Sequence, residues 1–100
     1  MHRPLRPKPV VFACRGCELD FVARQLAAEL DRRGLAEASV MGADAAKARA
    51  RFPIYAIEGC ERACAARWLG SLGVTPERSF VLDPAKEAAA EIERVAAALR

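Results

Sequence analysis

Four short apolar runs, each followed by a stretch of helical periodicity, restrict this chain more than anything else in it. The runs are residues 9–14 (PVVFAC), 38–42 (ASVMG), 53–58 (PIYAIE) and 79–82 (SFVL). After the first, Leu19, Val22, Leu26 and Leu30 recur at helical spacing with Ala23 and Ala27 beside them, and Gly34 supplies a stop. The alanine-rich ADAAKARARF predicts a second helix, which Pro53 must end. From Glu61, the positions Ala65, Trp68, Leu69 and Leu72 mark a third, closed by Gly73. Asp83-Pro84 reads as the cap and first residue of a fourth, whose buried stripe is Ile92, Val95 and Leu99.

The order β-α-β-α-β-α-β-α predicts an α/β fold, a small doubly wound, Rossmann-like, three-layer domain. Its four-stranded parallel sheet would run in the order 2-1-3-4, with helices on both faces and right-handed crossovers. One hundred residues can enclose one modest core, so residues 9–100 are expected to form a single domain after a basic, proline-rich segment at 1–8. Apolar residues are 53% of the chain, but many are alanines, which predicts a thin core.

The net charge of +3 owes much to Arg3, Arg6 and Lys8, which leaves the rest of the chain near neutrality. That argues against a nucleic-acid surface, which clusters Lys and Arg on one groove or face. No apolar stretch approaches the roughly 20 residues of a membrane span, and the basic start leads into too short an apolar run for a secretory signal. A cytoplasmic protein is expected, whose cysteines are thiols, metal ligands or redox groups instead of structural disulfides.

Those cysteines fall where the fold gives them meaning. Cys14 and Cys17 follow the first strand, and Cys60 and Cys64 follow the third. In a 2-1-3-4 sheet these strands are neighbours, and a crevice opens at their carboxyl ends because the chain leaves them in opposite directions. All four sulfurs are expected there, although 42 residues separate the pairs. C-x-x-C wraps a tight turn, and C-x-x-x-C would place two thiols one helical turn apart, a set suited to tetrahedral Zn²⁺. Gly16 and Gly59 would let the backbone pass close to the sulfurs. Helix N-termini with Arg15 and Arg62 would favour ionised sulfur and offset the charge of a four-thiolate site.

Other chemistries fit parts of the same pattern. Cys14 and Cys17 alone could form a redox dithiol, as in an oxidoreductase or sensor, and four cysteines could hold an iron–sulfur cluster. Zinc accounts for both pairs, and a closed four-sulfur shell suits a structural or metal-handling role better than hydrolysis, so an enzyme is not expected. Metal delivery would add a protein partner, for which the basic segment could dock. If Cys64 stands apart, one turn inside its helix, the site is open and reactive. Glu58 could accept backbone hydrogen bonds at its corner or act on the site from behind the ligands. Asp83, Met41 and Gly42 are candidates for the crevice wall, and Trp68 for the core. No Cys-x5-Arg loop or phosphate-binding glycine fingerprint occurs, and His2, the sole histidine, lies in the basic segment.

Through VFACRGC, IYAIEGCERACAARWLGSLGV and FVLD the chain resembles the bacterial and archaeal DGC-domain proteins, described as zinc-binding and named for an Asp-Gly-Cys motif. Here the motif is Glu58-Gly59-Cys60. The resemblance implies a metal site at Cys14, Cys17, Cys60 and Cys64.

Overall fold

The computed structural model describes residues 8–49 and 53–100. The basic segment and the far end of the expected second helix, through Phe52, lie largely outside them. Four strands, β1 (Val10–Ala13), β2 (Glu37–Val40), β3 (Ile54–Glu58) and β4 (Arg78–Val81), pair in parallel in the order β2-β1-β3-β4. Ala13 stands opposite Val40 on one side and Ile57 on the other, which brings the ends of β1 and β3 level.

The sheet's two faces follow from strand alternation. Phe12 and its partner Ala56 face α3 (Cys64–Ser71), where the Trp68 ring lies 5.4 Å from that of Phe12. Trp68 is only half-buried, a flank of the core. The opposite face meets α1 (Asp20–Arg32) and α4 (Ala88–Leu99), which also pack on each other. Arg33 ties this pair together, reaching Glu29 at 2.8 Å and Glu93 of α4 at 2.6 Å. Phe12, Leu26, Leu30, Ile57 and Leu69 are fully buried, each contributing about 1.5–3 kcal/mol of hydrophobic stabilisation.

Three helix boundaries differ from expectation, and β2 ends at Val40, short of the expected Met41 and Gly42. The second helix, α2, spans only Ala45–Ala48. The last helix starts at Ala88 and not at Pro84, because Asp83 Oδ1 accepts the Ala85 N–H and closes a local turn instead of capping a helix. Buried Glu91 then reaches back from α4 to accept the Asp83 N–H at 2.8 Å while binding Arg94. The third helix begins at Cys64, so Cys60 and Cys64 bracket a turn and are not one helical turn apart. Ala63, with φ 55°, makes that turn in the left-handed region.

Candidate functional site

Both cysteine pairs stand at the carboxyl edge of the sheet, on the loops that leave β1 and β3. Cys14 continues the alternation of β1 beyond Phe12 and is fully buried, while Cys17, Cys60 and Cys64 are half-buried. The Cys14 and Cys17 sulfurs are 2.9 Å apart. Gly16 turns their loop with φ 85°, and Asp20, in the first turn of α1, closes it by accepting the Gly16 N–H at 2.9 Å. Gly16 is therefore needed for its backbone conformation and not for room, since nothing lies within 4 Å of where a Cβ would stand.

Gly59 has the opposite reason. A Cβ there would come within 2.7 Å of Cys17 Sγ and of the Leu19 carbonyl carbon. Its N–H donates to Cys14 Sγ at 2.9 Å. The Glu58-Gly59-Cys60 turn thus packs directly onto the first thiol pair.

Glu58, fully buried at the end of β3, accepts the N–H groups of Ala65 and Ala66 at 2.9 and 2.8 Å. These are the second and third residues of α3, whose cap residue Ala63 offers no side-chain acceptor. A carboxylate from the preceding strand performs the capping, and the corner role expected of Glu58 takes this form.

Two of the thiols, Cys14 and Cys64, are less acidic than the sequence suggested. Burial pushes Cys14 up to about 12, assisted by the Cys17 thiol and the charge of Glu58 and opposed by the Gly59 N–H. Cys64 is also raised, first by burial, then by Cys60, Cys17 and Glu58. The expected push from arginine is missing because Arg15 and Arg62 are exposed and neither forms an ion pair among the described residues.

Two cavities open here. A small one of about 250 Å³ sits between the β1 and β3 loops, lined by Gly16, Cys17, Glu18, Cys60 and Arg62. A larger one of about 500 Å³ extends toward β4, with Leu19, Val81, Leu82 and Pro84 as apolar wall and Glu18, Glu61 and Asp83 around them. Cys60 lines both. Asp83 faces the crevice region as anticipated, whereas Met41, Gly42 and Arg15 line neither cavity. Asp20 and Ala63 escaped the sequence reading. A carboxylate four residues after a glycine turn was a signal for the first, while nothing local marks an alanine as left-handed.

The donor set suits a soft or borderline metal ion, since four thiols from two corners are available. Among the described residues, no group of three or more His, Cys, Asp or Glu side chains is already arranged to hold one. Tetrahedral thiolates at about 2.3 Å from a metal lie roughly 3.8 Å apart, so Cys14 and Cys17 would have to separate by nearly 1 Å.

A doubly wound sheet with cysteines clustered at two adjoining strand-to-helix corners defines a class of small thiol-bearing α/β proteins compatible with metal binding. The chain belongs to the DGC-domain family, which matches residues 10–98. It is similar to the anaerobic and virulence modulator AnvM of Pseudomonas aeruginosa, with 38% identity over 87 residues, covering 79% of this chain and 66% of AnvM. The chain thus spans just under two thirds of that relative's length. No solved structure matches.

Proposed function

We propose that this chain is a cytoplasmic zinc-binding protein whose ligands are Cys14, Cys17, Cys60 and Cys64, with a structural or metal-handling role. The observation that carries the reading is Gly59: its N–H meets Cys14 Sγ at 2.9 Å, and its Cα side leaves no space for a methyl beside Cys17 Sγ. The turn bearing Cys60 is therefore seated on the first thiol pair. Bound zinc would supply a cross-link between the β1–α1 and β3–α3 corners, coupling metal affinity to folding. In this reading residues 9–100 act as one metal-binding domain, and the basic residues 1–8 serve as a docking arm for a protein that gives or receives the metal.

The deciding experiment is elemental analysis of untagged, reduced protein purified without chelator, with reactive thiols counted before and after chelation in denaturant. About one zinc per chain, with thiols shielded until chelation, supports the proposal. Absence of metal, with two thiols reacting immediately, overturns it. Cys64→Ser then separates a closed site from an open one, since only an open site retains both metal and fold.

A specific distance favours a second reading. Sulfurs 2.9 Å apart at Cys14 and Cys17 suit a dithiol that oxidises reversibly, as in an oxidoreductase or redox sensor. AnvM is named an anaerobic modulator. Carried to this chain as part of the proposal, an anaerobic setting keeps thiols reduced and suits either reading.

A further inference from the structure

We infer that Glu58 is the positioning residue of the thiol site, a buried clamp that fixes how Cys60 and Cys64 are presented to Cys14 and Cys17. Ordinary helix caps come from the residue next to the first turn, and a Ser, Thr, Asp or Asn at position 63 would have served. This chain has Ala63 there, with no acceptor, and satisfies the helix from a fully buried carboxylate seven residues before Ala65. Burying a charge is costly unless it is fully bonded, and both oxygens of Glu58 are bonded to α3.

The consequence is a closed ring. Its ends are Glu58, fixed in β3 by pairing with β4, and Ala65, buried against the core. Inside the ring lie Gly59, Cys60 and Cys64, together with the left-handed Ala63. Loss of the clamp leaves the N–H groups of Ala65 and Ala66 unpartnered and frees the turn that carries both thiols. The backbone of the first pair is held by other means, Asp20 on Gly16 and the Cys14 N–H on the Ile57 carbonyl, so release of the turn removes only the Gly59 contacts with its sulfurs. The clamp therefore acts directly on Cys60 and Cys64, and on the first pair only through Gly59.

The metal consequence rests on the zinc reading, but the positioning itself does not. The test compares the 100-residue wild-type chain, Glu58→Gln and Glu58→Asp in two measurements: alkylation of each cysteine by iodoacetamide in the reduced, metal-free chain, resolved by peptide mass mapping, and zinc affinity by competition with a chromophoric chelator. Gln keeps the size of the side chain but turns an NH₂ group toward an N–H donor, whereas Asp keeps the charge. Glu58→Gln should alkylate about tenfold faster at Cys60 and Cys64 with Cys14 unchanged, and bind zinc about 10–100-fold more weakly. Glu58→Asp should fall between Gln and wild type in both. Rates at Cys60 and Cys64 within about twofold of wild type, or equal acceleration at all four cysteines, overturn the inference. Should the Gln variant not fold, the Asp variant decides on the same pattern: selective acceleration of Cys60 and Cys64 supports the clamp, and uniform or absent acceleration overturns it. A wild type that takes no zinc sinks the metal reading alone, and the alkylation pattern still decides the clamp.

Discussion

The backbone N–H of Gly59 donates to the sulfur of Cys14 at 2.9 Å, a contact made across 45 positions of sequence. It exists because β1 and β3 are paired in register, Ala13 beside Ile57, so their two exit loops start from the same level. The consequences of that contact can be measured.

Replacing Gly59 by Ala places a methyl 2.7 Å from Cys17 Sγ and 2.7–2.8 Å from the Leu19 carbonyl. Since the carbonyl is backbone, the loop must shift. Gly59→Ala is expected to destabilise the metal-free chain by about 1–3 kcal/mol, as overpacking does. Gly16→Ala, with open space but φ 85°, should cost only about 1–2 kcal/mol. Urea unfolding of both variants checks the pair, and only Gly59→Ala should alter the alkylation of Cys17.

Ala63 occupies the left-handed region with φ 55°. Ala63→Gly removes the steric cost of that conformation, about 1–2 kcal/mol, and adds unfolded-state entropy worth about 0.5–1. A net gain of roughly 0.5 kcal/mol in stability is expected from urea midpoints at unchanged slope.

The raised pKa of Cys14 has a sign in solution. From 9.0 in the unfolded chain to about 12 in the folded one, the native state keeps a proton that the unfolded state releases. Stability is therefore intact below pH 9 and lost as the pH rises toward about 12, at up to about 1.4 kcal/mol per pH unit. Cys14→Ala should flatten that slope in urea titrations of reduced, metal-free protein.

Two glutamates of α4 should differ sharply. Glu91 is buried and accepts the Asp83 N–H, so Glu91→Ala strands a backbone donor and should cost about 1–3 kcal/mol. Glu93 is exposed in its pair with Arg33, and Glu93→Ala should be nearly silent at physiological salt. The Arg94 guanidinium and the Asp83 N–H hold Glu91 below the usual carboxylate range. Its contribution is thus present above the unfolded pKa and disappears as the pH falls through the folded one, which acid unfolding of Glu91→Gln beside wild type would register.

Elements whose apolar pattern repeats over several turns were legible before the structure. The Leu26–Leu30 stripe and the four strands followed from periodicity, and the order 2-1-3-4, chosen as a doubly wound topology for alternating β and α elements, is the one observed. Cysteine positions relative to strand ends then brought both pairs to one edge. Helix starts were harder, because they depend on which distant group satisfies the first N–H donors. Asp83-Pro84 carried a strong local start signal, yet α4 waits until Ala88 because Glu91 holds the intervening turn from below. Cys64 was expected inside a helix and proves to begin it, since Glu58 caps from the strand. The acidity of Cys14 and Cys64 was misjudged for a related reason: the charges adjacent in sequence, Arg15 and Arg62, are exposed, while burial acts on these two sulfurs without any local mark.

The level exits of β1 and β3 also set a schedule. Because 42 residues lie between Cys17 and Cys60, a ribosome adding about 5–20 residues per second completes the second pair roughly 2–9 s after the first. During that interval CRGC is a dithiol without its neighbour, exposed to whatever metal or oxidant the nascent chain meets. The order of synthesis gives Cys14 and Cys17 the first choice of chemistry, and β3 arrives to seal it.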